Sequence, residues 1–252
     1  MLFYNNFELI NILIYSLLIG SLLNVLIYRI PLGMNYTNVR SICPSCKTQL
    51  KWYHNIPIFS WLFLRGKCGF CNSSISYRYP VVEFLSMFIA YDLYILNGFN
   101  ILSISLYIVF IMLLSLSFID FKYKAIPDNL SLIAILFSFV YMISHEENIN
   151  KIFLIIGIIS FLFFLKFVLE KILKKEVLGI GDFYIFIIIV TLFDFYEIMN
   201  VLVLSSLFSL FTLILIKLKN RNINIRNYQL PFVPYLTIGI FLVYFLNINI
   251  FN

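Results

Sequence analysis

Long apolar runs dominate the chain, and they do not alternate polar with apolar positions. Such runs predict helices, because a half-buried strand would show a period of two. Eight are separable: Leu9–Tyr28, Val81–Leu96, Ile101–Ile119, Asn129–Ser144, Ile152–Leu173, Phe183–Phe195, Met199–Ile216 and Pro231–Leu246. A membrane-crossing helix needs about 20 apolar residues, and the sixth run is the shortest. The pattern predicts an all-α polytopic membrane protein of about eight transmembrane helices. A membrane β-barrel would need alternation, which these Ile/Leu/Phe runs lack.

Composition agrees: 62% of the 252 residues are hydrophobic and 12% charged, with a mean hydropathy of +0.97. A soluble domain carries roughly 25% charged residues, so soluble and disordered classes are excluded. No Lys or Arg precedes the first run and no small-residue cleavage site follows it. The first run is therefore expected to be a retained helix and not a cleaved signal peptide.

Charge then orients the helices. Every Lys and Arg except Lys151 falls in an odd-numbered connection or at the end of a run beside one: Arg29 to Arg78, Lys122 and Lys124, Lys166 to Lys175, and Lys217 to Arg226. By the positive-inside rule those connections are cytoplasmic and both termini face out. The net charge of +6 becomes a topology signal. Basic residues divided among four loops form no patch for nucleic acid, which is not an expected partner.

The first connection carries all four cysteines, as Cys43-Pro44-Ser45-Cys46 and Cys68-Gly69-Phe70-Cys71. Two C-x-x-C pairs can surround one Zn²⁺ tetrahedrally, as in a zinc ribbon. A reducing cytoplasm disfavours structural disulfides there. Between the pairs lies Ile56-Pro57-Ile58-Phe59-Ser60-Trp61-Leu62-Phe63-Leu64, too short to span a bilayer. It reads as a segment lying against lipid headgroups, or as the core of the loop.

Few acids lie on the basic side. Glu8, Glu146, Glu147, Asp194 and Glu197 read as solvated charges on the other side, and Asp92 lies near that outer interface. Glu83 is placed to pair with Arg78. Asp120 ends the third run at its basic end, and Asp182 starts the sixth run in Gly179-Ile180-Gly181-Asp182. The same topology puts both at one face and similar depth. Two carboxylates so placed can share a proton, one acting as base on a water while the other polarises a carbonyl, as in aspartic proteases. The glycines flanking Ile180 remove side chains where an extended substrate would approach. Asp128 follows Pro127 at a helix start, a good N-cap position.

These residues, in this order, resemble the bacterial type IV prepilin peptidases, membrane aspartic proteases of the GxGD type. The likeness begins with Gly20-Ser21-Leu22-Leu23-Asn24-Val25-Leu26-Ile27-Tyr28-Arg29-Ile30-Pro31. It continues through the cysteine pairs, with Ser76-Tyr77-Arg78-Tyr79-Pro80 and Glu83 after them. The Asp120–Asp128 segment, Gly179–Asp182 and Pro231-Phe232-Val233-Pro234-Tyr235-Leu236 complete it. The resemblance implies cleavage of the basic leader of prepilins and pseudopilins after a glycine, at the cytoplasmic face of the plasma membrane. It further implies N-methylation of the new N-terminus with S-adenosylmethionine. Asp120 and Asp182 match the catalytic aspartates, and proteolysis itself needs no cofactor. Gly179, Gly181, Asp128 and Lys122 are the neighbours expected to support the pair or the substrate. Cys43, Cys46, Cys68 and Cys71 match the cysteine module of the bifunctional members, with structural zinc as its expected ion. No residue identifies the S-adenosylmethionine pocket.

The resemblance divides the chain into an N-terminal module, residues 1–100 with the cysteine loop at 30–80, and a membrane peptidase domain, 101–252. There are two departures. Tyr184 stands where the family commonly has lysine, and Val233 stands where glycine is usual. Membrane lipid is the surrounding partner, and the sequence gives no oligomeric state. Two other readings of the residues are a proton- or cation-coupled transporter using the boundary acids and a non-catalytic zinc-ribbon scaffold for pilus assembly.

Overall fold

In the computed structural model, residues 6–37, 40–145, 149–174, 179–219, 229–248 and 250 are described. Glu146, Glu147, Lys175, Arg221 and Arg226 lie outside them. The α-helices are α1 (Asn6–Arg29), α2 (Phe59–Phe63), α3 (Arg78–Asn97), α4 (Ile101–Tyr123), α5 (Asp128–Ser144), α6 (Ile149–Leu173), α7 (Ile180–Leu192), α8 (Phe195–Lys219) and α9 (Val233–Leu246). Among the described residues there is no strand, only two isolated bridges in the cysteine loop.

All eight apolar runs are helical, as expected. Helices α1, α3, α4, α6 and α8 are long and apolar enough to cross a membrane, whereas α5, α7 and α9 are shorter. The 13 residues of α7 rise about 20 Å, against a hydrocarbon core of about 30 Å. The outer surfaces suit lipid. Helix α6 exposes Phe153, Phe161, Phe164 and Phe167. In water such a stripe would be an association surface.

The chain forms two compact units, Met1–Ile111 and Met112–Asn252, with α4 running from one into the other. In the first, α1 and α3 are antiparallel and very close. A Cβ on Gly20 would sit 2.8 Å from the Glu83 Cα. Small residues let helix backbones approach where apolar burial alone gives little drive. Buried polar groups are paired across this contact. Ser86 Oγ donates to the Ser16 carbonyl at 2.7 Å, and Asn24 Nδ2 donates to the Tyr79 carbonyl at 3.1 Å.

Glu83 does not pair with Arg78. Its Oε2 accepts the Ile58 N–H at 2.7 Å, which fastens the segment before α2 to α3. The Arg78 guanidinium lies 5.0 Å above the Tyr79 ring instead. Arg29, buried at the end of α1, donates to the carbonyls of Asn35 and Arg40 and folds the chain back after the helix. Within residues 52–63, Trp52 and Phe63 are exposed. Trp61 turns inward, and its Nε1 donates to the Ile75 carbonyl.

In the second unit α8 and α9 are antiparallel, with Gly239 against the Val201 carbonyl and Thr212 bonded to the Tyr235 hydroxyl. Helix α7 packs on α5 and α6, where Phe163 and Phe183 stack with ring centroids 4.4 Å apart. Lys151 is buried and pairs with the exposed Asp194 at 3.8 Å.

The close approach at Gly20 generates a stability prediction. Gly20→Val places branched carbons where α3 backbone stands, and overpacking of this kind costs about 1–3 kcal/mol. The variant should unfold at lower temperature in detergent than the wild type. An unchanged melting temperature would mean that α1 and α3 are further apart than described.

Candidate active site

Asp120 lies in the last turn of α4 and is 6% exposed. A carboxylate so placed must be hydrogen-bonded. Its partner comes from the far end of the sequence: Asp120 Oδ2 accepts the Val233 N–H at 2.9 Å. The first N–H groups of any helix lack an internal acceptor and carry partial positive charge. Val233 opens α9, and Pro234 at the following position favours a helix start there. The Phe232 N–H also acts on the same carboxyl. One helical turn back, Ser117 Oγ donates to Thr237 Oγ1 at 2.7 Å, a second tie between α4 and α9. Because the bond uses a backbone N–H, valine in place of glycine at 233 leaves it intact.

Asp182 is half-buried in the first turn of α7, and its Oδ2 accepts the Gly179 N–H at 3.0 Å. Gly181 sets where this turn rests. A Cβ there would lie 2.7 Å from Ile126 Cβ, in the link that follows α4. The missing side chain at Gly181 is thus filled by the protein's own Ile126 and not left open for a substrate. At Gly179 the nearest atom to a Cβ would be Asp182 Oδ2 at 3.7 Å, an ordinary contact.

These contacts bring the two aspartates together. Asp182 is near enough for its charge to act on Asp120. No hydrogen bond joins the two carboxylates directly among the described residues, so each keeps an oxygen for a third group. Lys124 acts on Asp120 and Lys166 acts on Asp182. The Lys124 ammonium also donates to the Gln229 carbonyl, just before α9.

Two neighbours differ from expectation. Lys122 is exposed and its ammonium lies 4.8 Å from the centroid of the Tyr123 ring, and no hydrogen bond or ion pair ties it to either aspartate among the described residues. Asp128 is not the N-cap of α5. Pro127 takes that position with extended backbone, and Asp128 is the first helical residue with no side-chain cap bond at the helix start. Its charge there suits the helix dipole. Lys124, Lys166 and the Val233 N–H went unnoticed in the sequence. For Lys166 the signal was present: a Lys and a Glu four apart, Lys166 and Glu170, inside a mostly apolar run.

The cysteine loop is built from two equivalent knuckles. In the first, the Cys43 N–H donates to the Thr48 carbonyl and the Lys47 N–H to the Cys43 carbonyl. In the second, the Cys68 N–H donates to Ser73 and the Asn72 N–H to Cys68. Lys47 and Asn72, the residues after each second cysteine, both adopt positive φ, 59° and 56°. The knuckles bring all four Sγ atoms within 4.8 Å of one another, and Cys43 and Cys71 are 3.9 Å apart. Tetrahedral thiolate coordination at about 2.3 Å requires sulfurs about 3.8 Å apart, so the cluster can hold a metal ion. The Cys46 N–H, with the Ser45 N–H and the Ser73 hydroxyl, holds the Cys43 thiol down at about 6 against the effect of burial. The Ser73 hydroxyl likewise lowers Cys71. At Cys68 the Cys71 N–H lowers the value, but burial and the neighbouring Cys43 and Cys71 outweigh it and hold the thiol up.

Residues 14–96 match the bacterial peptidase A24 N-terminal domain, and residues 107–214 match the type IV leader peptidase family. Three relatives carry the name prepilin leader peptidase/N-methyltransferase. That of Vibrio cholerae serotype O1 is 31% identical over 77% of this chain and 81% of its own length. That of Legionella pneumophila is 29% identical over 95% and 91%. That of Myxococcus xanthus is 30% identical over 77% of this chain, which spans 58% of that longer protein. No solved structure matches at a comparable level. The exposed apolar helices and these relatives make the chain an integral membrane protein. Two domain matches in sequence order, and relatives matched over four-fifths or more of their own length, leave one assignment: the chain belongs to the type IV leader peptidase family.

Proposed function

We propose that this protein cleaves the basic leader from type IV prepilins and pseudopilins after a glycine and N-methylates the new N-terminal residue. The observation that carries the peptidase reading is the approach of Asp182 to Asp120, near enough for its charge to act on that carboxyl and with no direct bond between the two. Each has one oxygen engaged by a backbone N–H, which leaves the other for a water and a substrate carbonyl.

In the proposed reaction one carboxylate takes a proton from a water as its oxygen attacks the scissile glycine carbonyl carbon. The other carboxyl gives its proton toward the carbonyl oxygen. Collapse of the tetrahedral intermediate breaks the C–N bond, and the proton taken from water passes to the leaving amine. No covalent enzyme intermediate forms. The substrate's apolar helix lies beside the enzyme's own helices in the bilayer, so membrane depth selects the bond. Gly179 and Gly181 keep the first turn of α7 compact beside the pair, and Asp128 remains a candidate for contact with the substrate's basic leader.

The distribution of Lys and Arg supports a cytoplasmic active site in the plasma membrane, with both termini outside. We assign methylation to the N-terminal module, 1–100, and peptide hydrolysis to 101–252. S-adenosylmethionine would supply the methyl group. The four cysteines are proposed to hold one structural Zn²⁺, which fixes the two knuckles and takes no part in proteolysis.

Two measurements test this reading. A prepilin with a basic leader and a Gly–Phe junction, co-expressed with the wild type, should lose its leader and gain about 14 Da, one methylene, at the new N-terminus. Asp120→Asn and Asp182→Asn should each abolish cleavage while still accumulating in the membrane. Full cleavage by either variant removes that residue from the mechanism. Metal analysis of the purified protein should find zinc at about one per chain, lost in Cys43→Ser/Cys68→Ser. A metal-free, fully stable wild type would contradict the zinc assignment.

A further inference from the structure

Helix α2 turns an apolar side outward. Phe59, Leu62 and Phe63 share one helix face by their spacing of three and four, and they are 56%, 57% and 84% exposed. The sequence allowed two places for this segment, against lipid headgroups or inside the loop. The structure divides it. Trp61 turns in: its Nε1 donates to the Ile75 carbonyl, and a Cβ on Gly66 would meet its ring at 2.8 Å.

The outward face is held in place by ties at both ends. At the start, the Ile58 N–H donates to Glu83 Oε2 at 2.7 Å. At the end, Arg65 and Gly66 take left-handed backbone, with φ of 51° and 68°, and the Gly66 carbonyl accepts the Ile75 N–H at 2.7 Å. A segment fixed in this way cannot collapse to cover its own phenylalanines.

Two observations indicate what covers them. The first is depth. Glu83 lies five residues after Arg78, the first residue of α3, and α3 is long and apolar enough to cross a membrane. At about 1.5 Å per residue, Glu83 is about 7–8 Å below the helix start. Amphipathic helices lying in a membrane surface bury their apolar side about 5–10 Å into the boundary of headgroups and acyl chains. The bond to Glu83 starts α2 at a matching level. The second is charge. Residues 31–77 hold Arg40, Lys47, Lys51, Arg65 and Lys67 and no Asp or Glu. Lys51, Arg65 and Lys67, which flank the segment, are exposed. Anionic headgroups attract such residues, whereas the basic leader of a prepilin would be repelled.

We propose that α2 is a membrane-surface anchor: Phe59, Leu62 and Phe63 lie among the acyl chains of the adjoining leaflet, and Lys51, Arg65 and Lys67 meet its anionic phospholipid headgroups. The cysteine loop between α1 and α3 is thereby fastened to the bilayer surface. The proposal stands independently of the leader-peptidase reading.

The test uses the full chain in lipid nanodiscs and reads tryptophan emission. The chain has two tryptophans, Trp52 and Trp61. Trp52→Phe leaves the inward Trp61 as background, and Phe63→Trp added to that variant reports from the exposed face. Lipids brominated high on the acyl chain should quench the added emission at least about twofold relative to unbrominated lipid. Quenching should be stronger in bilayers containing phosphatidylglycerol than in phosphatidylcholine alone, and Lys51→Gln/Arg65→Gln/Lys67→Gln should remove that difference. Added emission that brominated lipid does not quench overturns the proposal. Iodide quenching would then place the face in water, and shielding from iodide would mean that protein covers it, whether a second copy or a partner. Equal quenching in the two bilayers would overturn the role of the cations. Should Phe63→Trp not accumulate, Leu62→Trp in the same background is read by the same criteria.

Discussion

The second unit depends on how one buried carboxyl is satisfied. Asp120 is nearly inaccessible at the end of an apolar helix, and without a donor it would be strongly destabilising there. The start of α9 supplies the donor, more than 110 positions later in sequence. That single bond explains the Pro231–Pro234 segment: proline after Val233 begins a helix where its unbonded N–H groups point at Asp120. The Ser117–Thr237 bond holds the same two helices in register one turn away. With α4 and α9 fixed, the link after α4 becomes the floor on which α7 starts, and Gly181 lets α7 come down onto Ile126. Asp182 arrives beside Asp120 as a consequence of packing, while its own N–H partner remains local.

The N-terminal unit is organised differently. Its helices meet through Gly20, so closely that the backbone of α3 fills the place of a side chain. Its cysteine loop is shaped by two backbone knuckles whose hydrogen bonds repeat residue for residue. The knuckles bring four sulfurs to near-coordination spacing by backbone geometry. Glu83 links the two parts of the unit, holding the amide of Ile58 against α3. Ile58 has a φ of 60°, which a β-branched residue adopts only under constraint, and the short bond to Glu83 is a constraint of that kind.

Much of this was legible in the sequence, because membrane helices announce themselves by length and composition. All eight apolar runs became helices, and the cysteine spacing led to the cluster. The two boundary aspartates were visible as acids on a basic side. What the sequence did not reveal was direction. Lys122 and Lys124 are equally near Asp120 in the chain, but helical phase turns the first to its own Tyr123 and the second toward the carboxyl. Arg78 was the obvious partner of Glu83 by charge, yet a backbone amide took the site. Asp128 looked like a cap, but Pro127 takes the cap position and the helix begins at Asp128 itself. Lys166 was counted among loop charges because a Lys in an apolar run usually marks its end. For Glu83 and Lys124 the deciding fact is a contact between distant segments; for Lys122 and Asp128 it is local helix geometry.

The central claim is that Asp120 and Asp182 act as one unit in peptide hydrolysis. A double-mutant cycle on single-turnover cleavage tests it most directly, comparing wild type, Asp120→Asn, Asp182→Asn and the double variant. Residues that act as a unit are strongly non-additive. The account predicts that the double variant retains the same residual rate as either single one. Independent losses that multiply in the double variant would contradict it, since the two carboxyls would then contribute separately.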